Sequence, residues 1–322
     1  MLSQYGLMAF LKAFKKSEPQ FKNEEFFHDY AVAGYSHCCD WLGKPPDPEW
    51  TFKLIPWHRS MCARDSLNHR YLLMICDSDG SEAICRRIGH EMYHRVTWRR
   101  SGLRSQLWTN EMLACAVSDH IMNLHGMENY VHAAEQVCVS SNKLDTVRLR
   151  NIHSPRRLGE ITRTSTSYPQ DFGRDLIRLA NALMALCGWE SFVALGTKPT
   201  LADWMCEMSP QLQHAVNAVL GFEEPKMELI SADLEAQFLH YKTFGRALYW
   251  IGEFHYAVEG LQIARDRRPS DAETHLYLAN ALWYANRRQE AMHTLRRGLK
   301  IVPSSQEMQH TLNDYARGDG DI

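Results

Sequence analysis

The chain has no run of about 18 apolar residues, so nothing in it reads as a membrane span. It has no CxxC pair, and its cysteines are odd in number: nine, at 38, 39, 62, 76, 85, 115, 138, 187 and 206. Several sit inside apolar runs, the usage of buried free thiols in a reducing, cytoplasmic setting. A large excess of either charge is also missing, with 36 Lys and Arg against 38 Asp and Glu. A formal net charge of −2 argues against a general nucleic-acid binder, for which a strongly basic balance is the usual footprint. The amino terminus, MLSQYGLMAFLKAFKK, lacks the layout of a secretory leader. Its lysines follow a short, interrupted apolar run, and no small-residue cleavage site comes after. An amphipathic first helix packed on its domain is expected there.

What is present is ordinary globular material. At 322 residues, 45% hydrophobic and 23% charged, the chain is long enough for two domains and is neither disordered nor collagen-like in composition. A helix is expected from about Asn23 to Leu42, stopped by Gly43-Lys44-Pro45-Pro46. Trp50–Trp57 and Arg70–Cys76 are short β-branched or aromatic runs that predict strands. After a turn at Asp77-Ser78-Asp79-Gly80, Asp79 and Glu82 can cap a helix whose Ile84, Ile88, Met92 and Val96 recur every four residues. A second helix is expected over about Asn110–Leu124. Residues 140–168 read as long loop, and helical periodicity dominates from about Phe172 onward.

The last ninety or so residues repeat with a period of 34. That shift lays Ala247 on Ala281, Leu248 on Leu282, Ala257 on Ala291, Leu261 on Leu295 and Pro269 on Pro303. Tyr249-Trp250 falls on Trp283-Tyr284, aromatic pairs expected between helices. Each proline precedes an expected capping box, Ser270 with Glu273 and Ser304 with Glu307. In period and pattern these helical hairpins resemble the tetratricopeptide family, which implies a module that recruits a protein partner or substrate.

The chemistry-bearing motif is His90-Glu91-Met92-Tyr93-His94. Histidines four apart project from one helix face, a turn apart, where both can reach one tetrahedral zinc. Glu91 stands beside them, placed to take a proton from a zinc-activated water. The continuation HExxHxxGxxH is broken, since Thr97 and Arg100 stand at its Gly and His positions. Downstream, Trp108-Thr109-Asn110-Glu111-Met112-Leu113-Ala114 follows His94 with Glu111 at a separation of 17 residues. HExxH followed by this NExxA segment is similar to gluzincin zinc peptidases of the aminopeptidase and thermolysin-like type, over about residues 70 to 195. The resemblance implies metal ligands His90, His94 and Glu111, a catalytic Glu91, and Tyr168 as oxyanion stabiliser. Arg95 departs from the pattern, as does Cys115, where thermolysin-like proteins carry an orienting aspartate. Asp119 lies a turn further on. Gly126-Met127-Glu128-Asn129 is treated as coincidence, and His120 and His125 as structural.

The expectation is an α+β chain: a zincin-like domain over residues 1–230, a small sheet with a mostly helical lobe, then tetratricopeptide-like repeats over 231–322. Its function would be zinc-dependent peptide hydrolysis in the cytoplasm. A peptide or protein is the substrate, with no nucleic-acid partner and no membrane span. The alternative is a non-catalytic interaction protein, its peptidase fold a scaffold and its repeats the working part.

Overall fold

The computed structural model describes residues 24–46, 51–56, 61–65, 70–75, 80–97, 107–139, 142–146, 149, 168–227 and 233–317. The expected first helix, the turn at Asp77–Asp79 and most of the loop over 140–168 lie outside them. The expected α+β class is corrected to all-α: about 80% of the interpretable structure is helical, and a sheet-plus-lobe division of the zincin kind is not seen. Among the described residues, extended chain is confined to three short strands, β1 (Thr51–Pro56), β2 (Met61–Asp65) and β3 (Arg70–Ile75). They form one ribbon in the order β1-β3-β2, with β1 parallel and β2 antiparallel to β3. Strands so short cannot set the class against helices of up to 27 residues.

Packing divides the chain into two compact units: residues 1–99 with 117–127, and residues 100–116 with 128–322. The boundary expected between residues 230 and 231 follows the repeat period and is a different division. In the first unit, α1 (Glu24–Trp41) buries Phe27, Tyr30, Ala31 and Cys38 at helical spacing. Gly43, with φ of +58°, ends it: Gly43 N donates to Asp40 O and Lys44 N to Cys39 O, closing the last turn. Helix α2 (Ser81–Thr97) buries the expected stripe of Ile84, Ile88, Met92 and Val96. Helix α3 (Leu107–Leu124) is shared, its second half belonging to the first unit.

The second unit contains α4 (Glu128–Cys138), α5 (Tyr168–Ala194), α6 (Leu201–Met205) and α7 (Pro210–Val219). Gly188, with φ 73° and ψ 169°, breaks α5 near its end. The stretch Gly173–Thr197 is long and apolar enough to cross a membrane by length and composition, although Arg174, Asp175, Arg178 and Glu190 interrupt it. Half of it is buried within the protein, and it carries the buried Arg178 beside Asp175, as a core helix does. All seven cysteines among the described residues are free, and burial pushes the Cys85 and Cys187 thiols up to about 12, so both stay protonated at neutral pH.

The 34-residue period reappears as structure. The first hairpin is α8 (Leu234–Trp250) with α9 (Phe254–Arg267); the second is α10 (Ala272–Tyr284) with α11 (Arg288–Ile301); α12 (Gln306–Arg317) follows. Ala257 and Ala291 are fully buried, and so are Leu261 and Leu295. A Cβ on Gly245 would lie 2.7 Å from Leu261 Cγ, so the first hairpin needs glycine at that crossing. The hairpin turns match too. Gly252 (φ +81°) and Asn286 (φ 61°) stand 34 apart, occupied by the two residue types that best tolerate a left-handed backbone. The caps fall one residue later than expected. Asp271 accepts from Thr274 N at 2.8 Å, and Ser305 accepts from Met308 N at 3.3 Å, in place of Ser270 and Ser304.

His275 is fully buried, with Nε2 2.8 Å from Pro269 O, and burial lowers its pKa and that of His240. A native state that holds these rings neutral binds fewer protons than the unfolded chain near its ordinary histidine pKa of about 6.5. Their contribution is therefore complete above about pH 6.5 and is lost as the pH falls below it. The melting temperature should drop between neutral and mildly acidic pH, and His275→Gln should make that drop shallower. An identical pH slope in the variant would remove His275 from the effect.

Candidate metal centre

The centre is built on two helices whose mutual approach is set inside the first unit. Gly89 lies against Ser118 so closely that a Cβ there would stand 3.0 Å from Ser118 Oγ and 3.1 Å from its Cα. Ser118 Oγ donates to Arg86 O. Arg86 also grips Asp119 through both nitrogens of its fork, Nε to Oδ1 at 2.6 Å and Nη2 to Oδ2 at 2.7 Å. Burial pushes the Asp119 carboxyl up from its ordinary range, and the Arg86 and His90 charges act against that. Arg86 against Asp119, and Gly89 against Ser118, hold α2 to the end of α3.

From that clamp the remaining positions follow by helical register. His90 and His94 lie one and two turns beyond Arg86 on α2. Glu111 lies two turns before Ser118 on the same face of α3, carried there by one unbroken helix. The Nε2 atoms of His90 and His94 are 3.0 Å apart, with the rings edge to face at 76°. A ligand nitrogen of each ring and a carboxylate oxygen of Glu111 all lie within 4.8 Å of one another, in half-buried surroundings. Among the described residues no other group of three such side chains meets this condition.

The donor set suits a borderline divalent cation. Two imidazole nitrogens at about 2.0–2.1 Å from a tetrahedral ion stand about 3.3 Å apart, so 3.0 Å needs an adjustment of only a few tenths of an ångström. His₂Glu with a position to spare is a catalytic zinc donor set. Without a cation, one ring donates its N–H to the other's lone pair. Glu91 is buried on α2, about 100° around the helix from His90. Tyr168 opens α5, and its side chain lies outside the described ones. The structure thus brings His90, His94 and Glu111 together. His120 instead packs edge-on against Trp41 at 5.1 Å, and His125 against Tyr30 at 4.9 Å. The Arg86–Asp119 clamp and the Gly89 contact were not read from sequence. The glycine beside the motif was their one local signal.

No family model matches the chain, and neither a curated protein nor a solved structure matches it. The gluzincin and tetratricopeptide resemblances therefore rest on the motifs and on the period alone.

Proposed function

We propose that the chain is a zinc-dependent peptidase whose ligands are His90, His94 and Glu111. The observation that carries this reading is the convergence of those three side chains, from two helices, within 4.8 Å. When bound there, zinc supplies Lewis acidity, polarising a carbonyl and lowering the pKa of water toward about 7. Glu91 takes the proton of the attacking water and delivers it to the leaving amine. Tyr168 donates a hydrogen bond to the oxyanion that develops, the role implied by the gluzincin resemblance. The substrate is a peptide or protein in the cytoplasm, and the helical hairpins recruit it or a partner.

Metal content tests this directly. Two histidines alone hold zinc weakly, and a carboxylate completes the set and offsets charge. Purified full-length chain should carry about one zinc by elemental analysis, as His₂Glu sites do. Glu111→Ala should weaken zinc binding at least about tenfold, a loss of about 1.4 kcal/mol or more. His120→Ala should leave it unchanged. Absence of stoichiometric zinc from the wild-type chain would sink the peptidase reading. It would favour the second one, an interaction protein, which the well-formed 34-residue hairpins support independently.

A further inference from the structure

The second unit holds a cavity of about 480 Å³ that the proposed peptidase chemistry does not involve. Three segments wall it: residues 143–146, the end of α7 with residues 221–225, and the hairpin turn at Ile251 and Glu253. They are joined by direct bonds and close approaches. Leu144 N donates to Ile251 O at 2.7 Å. A Cβ at Gly221 would run into Thr146 Oγ1, and one at Gly252 would stand 2.7 Å from Asn142 O. Both glycines have left-handed φ, so the walls are shaped before any ligand arrives.

The floor is apolar, with Leu144, Val219 and Ile251 almost wholly buried beneath it. The rim is acidic. Asp145, Glu223, Glu224 and Glu253 line the cavity against one cation, Lys143, which pairs with Glu253. His214 Nδ1 at 2.7 Å and Asn217 donating at 2.7 Å keep Glu223 ionised. Phe222 also lines the cavity and is 51% exposed.

An apolar floor under a net negative rim complements a cation on an aliphatic stem. The stem covers the floor while the charged head meets carboxylates and the face of Phe222. The same charges repel an anion. The volume is in the range of ligand sites, large enough for a long side chain and its neighbour. We propose that this cavity binds an arginine or lysine side chain presented beside an apolar residue in a peptide segment.

The probe is acetyl-Leu-Arg-amide, titrated calorimetrically into the full-length chain at low salt. Saturable one-to-one binding is expected, at least about tenfold tighter than that of the uncharged acetyl-Leu-citrulline-amide. The double variant Asp145→Asn with Glu224→Gln should lose affinity by a similar factor, whereas Glu111→Ala should bind normally. Should the double variant misfold by circular dichroism, Phe222→Ser decides instead, with weakened binding expected. Absence of saturable binding, equal affinity for the citrulline peptide, or full affinity in the folded cavity variant would each overturn the site. Binding that vanishes with Glu111→Ala would assign the peptide to the metal centre and overturn it as well. The cavity stands if zinc is absent but the arginine peptide binds, so the two readings fail separately.

Discussion

Glu91→Gln should reduce turnover of a fluorescence-quenched peptide about a thousandfold, within the 10²–10⁴ range of general acid–base catalysis. Zinc content and melting temperature should stay at wild-type levels. Glu91 is buried on α2, and glutamine keeps its volume there while losing the ability to accept a proton from water. It is also not among the three side chains that converge, so the substitution leaves that group of possible donors whole. The two measurements separate three outcomes. Lost turnover with retained zinc assigns Glu91 the proton transfer. Lost zinc makes it a ligand or a support for one, and undiminished turnover removes it from the chemistry.

The motif that makes this test possible was legible because its logic is local. Two histidines four apart share a helix face wherever the helix sits, and Ile84, Ile88, Met92 and Val96 show which face is buried. The 34-residue period was legible for a related reason. Each repeat packs mainly on its neighbours, so Ala257 and Ala291, or Leu261 and Leu295, occupy equivalent places. The class was misjudged. Trp50–Trp57 and Arg70–Cys76 read as strands in the sequence, yet among the described residues extended chain forms only a three-stranded ribbon. Strand β2, Met-Cys-Ala-Arg-Asp, was missed because it has no β-branched or aromatic residue to mark it. The caps slipped by one residue for a simple reason. Ser270 and Asp271 are both good N-cap residues, and only the backbone shows that the aspartate is the one aimed at Thr274 N.

What stayed hidden was long-range. Gly89 against Ser118 joins residues 29 apart in sequence, and no periodicity announces that two helix backbones will touch there. In the sequence Asp119 is only an acid one turn beyond Cys115, yet its partner is Arg86, one turn before His90. The same holds for the charge that closes the first hairpin. Arg178 lies in an apolar run of α5 where the sequence suggests only an interruption, and its partners are 36 and 72 residues away.

Arg178→Met should destabilise the second unit by about 3–5 kcal/mol, the range for breaking a buried charged network by removing one partner. The guanidinium side chain is 4% exposed. Its Nε donates to Trp250 O at 2.9 Å and its Nη2 to Asn142 O at 2.7 Å. Trp250 is the last residue of α8, so that carbonyl has no partner further along its own helix and sits at the negative end of the dipole. Burial lowers the arginine pKa and Asp175 opposes it, so the charge is held at a cost that these acceptors offset. Methionine fills much of the volume but removes the donor to two carbonyls and the cation beside Asp175. Lysine should recover only part of the loss, because a single ammonium cannot span both carbonyls as the planar fork does. Urea unfolding followed by tryptophan fluorescence reads the change. Gly252→Ala tests the same junction from the other side, since its Cβ would lie 2.9 Å from Arg178 Nη2 and 2.7 Å from Asn142 O at a φ of +81°. The two substitutions should be less than additive, because each breaks the contact that the other depends on. A loss below about 1 kcal/mol for Arg178→Met, the size of one ordinary hydrogen bond, would show that the hairpin does not depend on this charge.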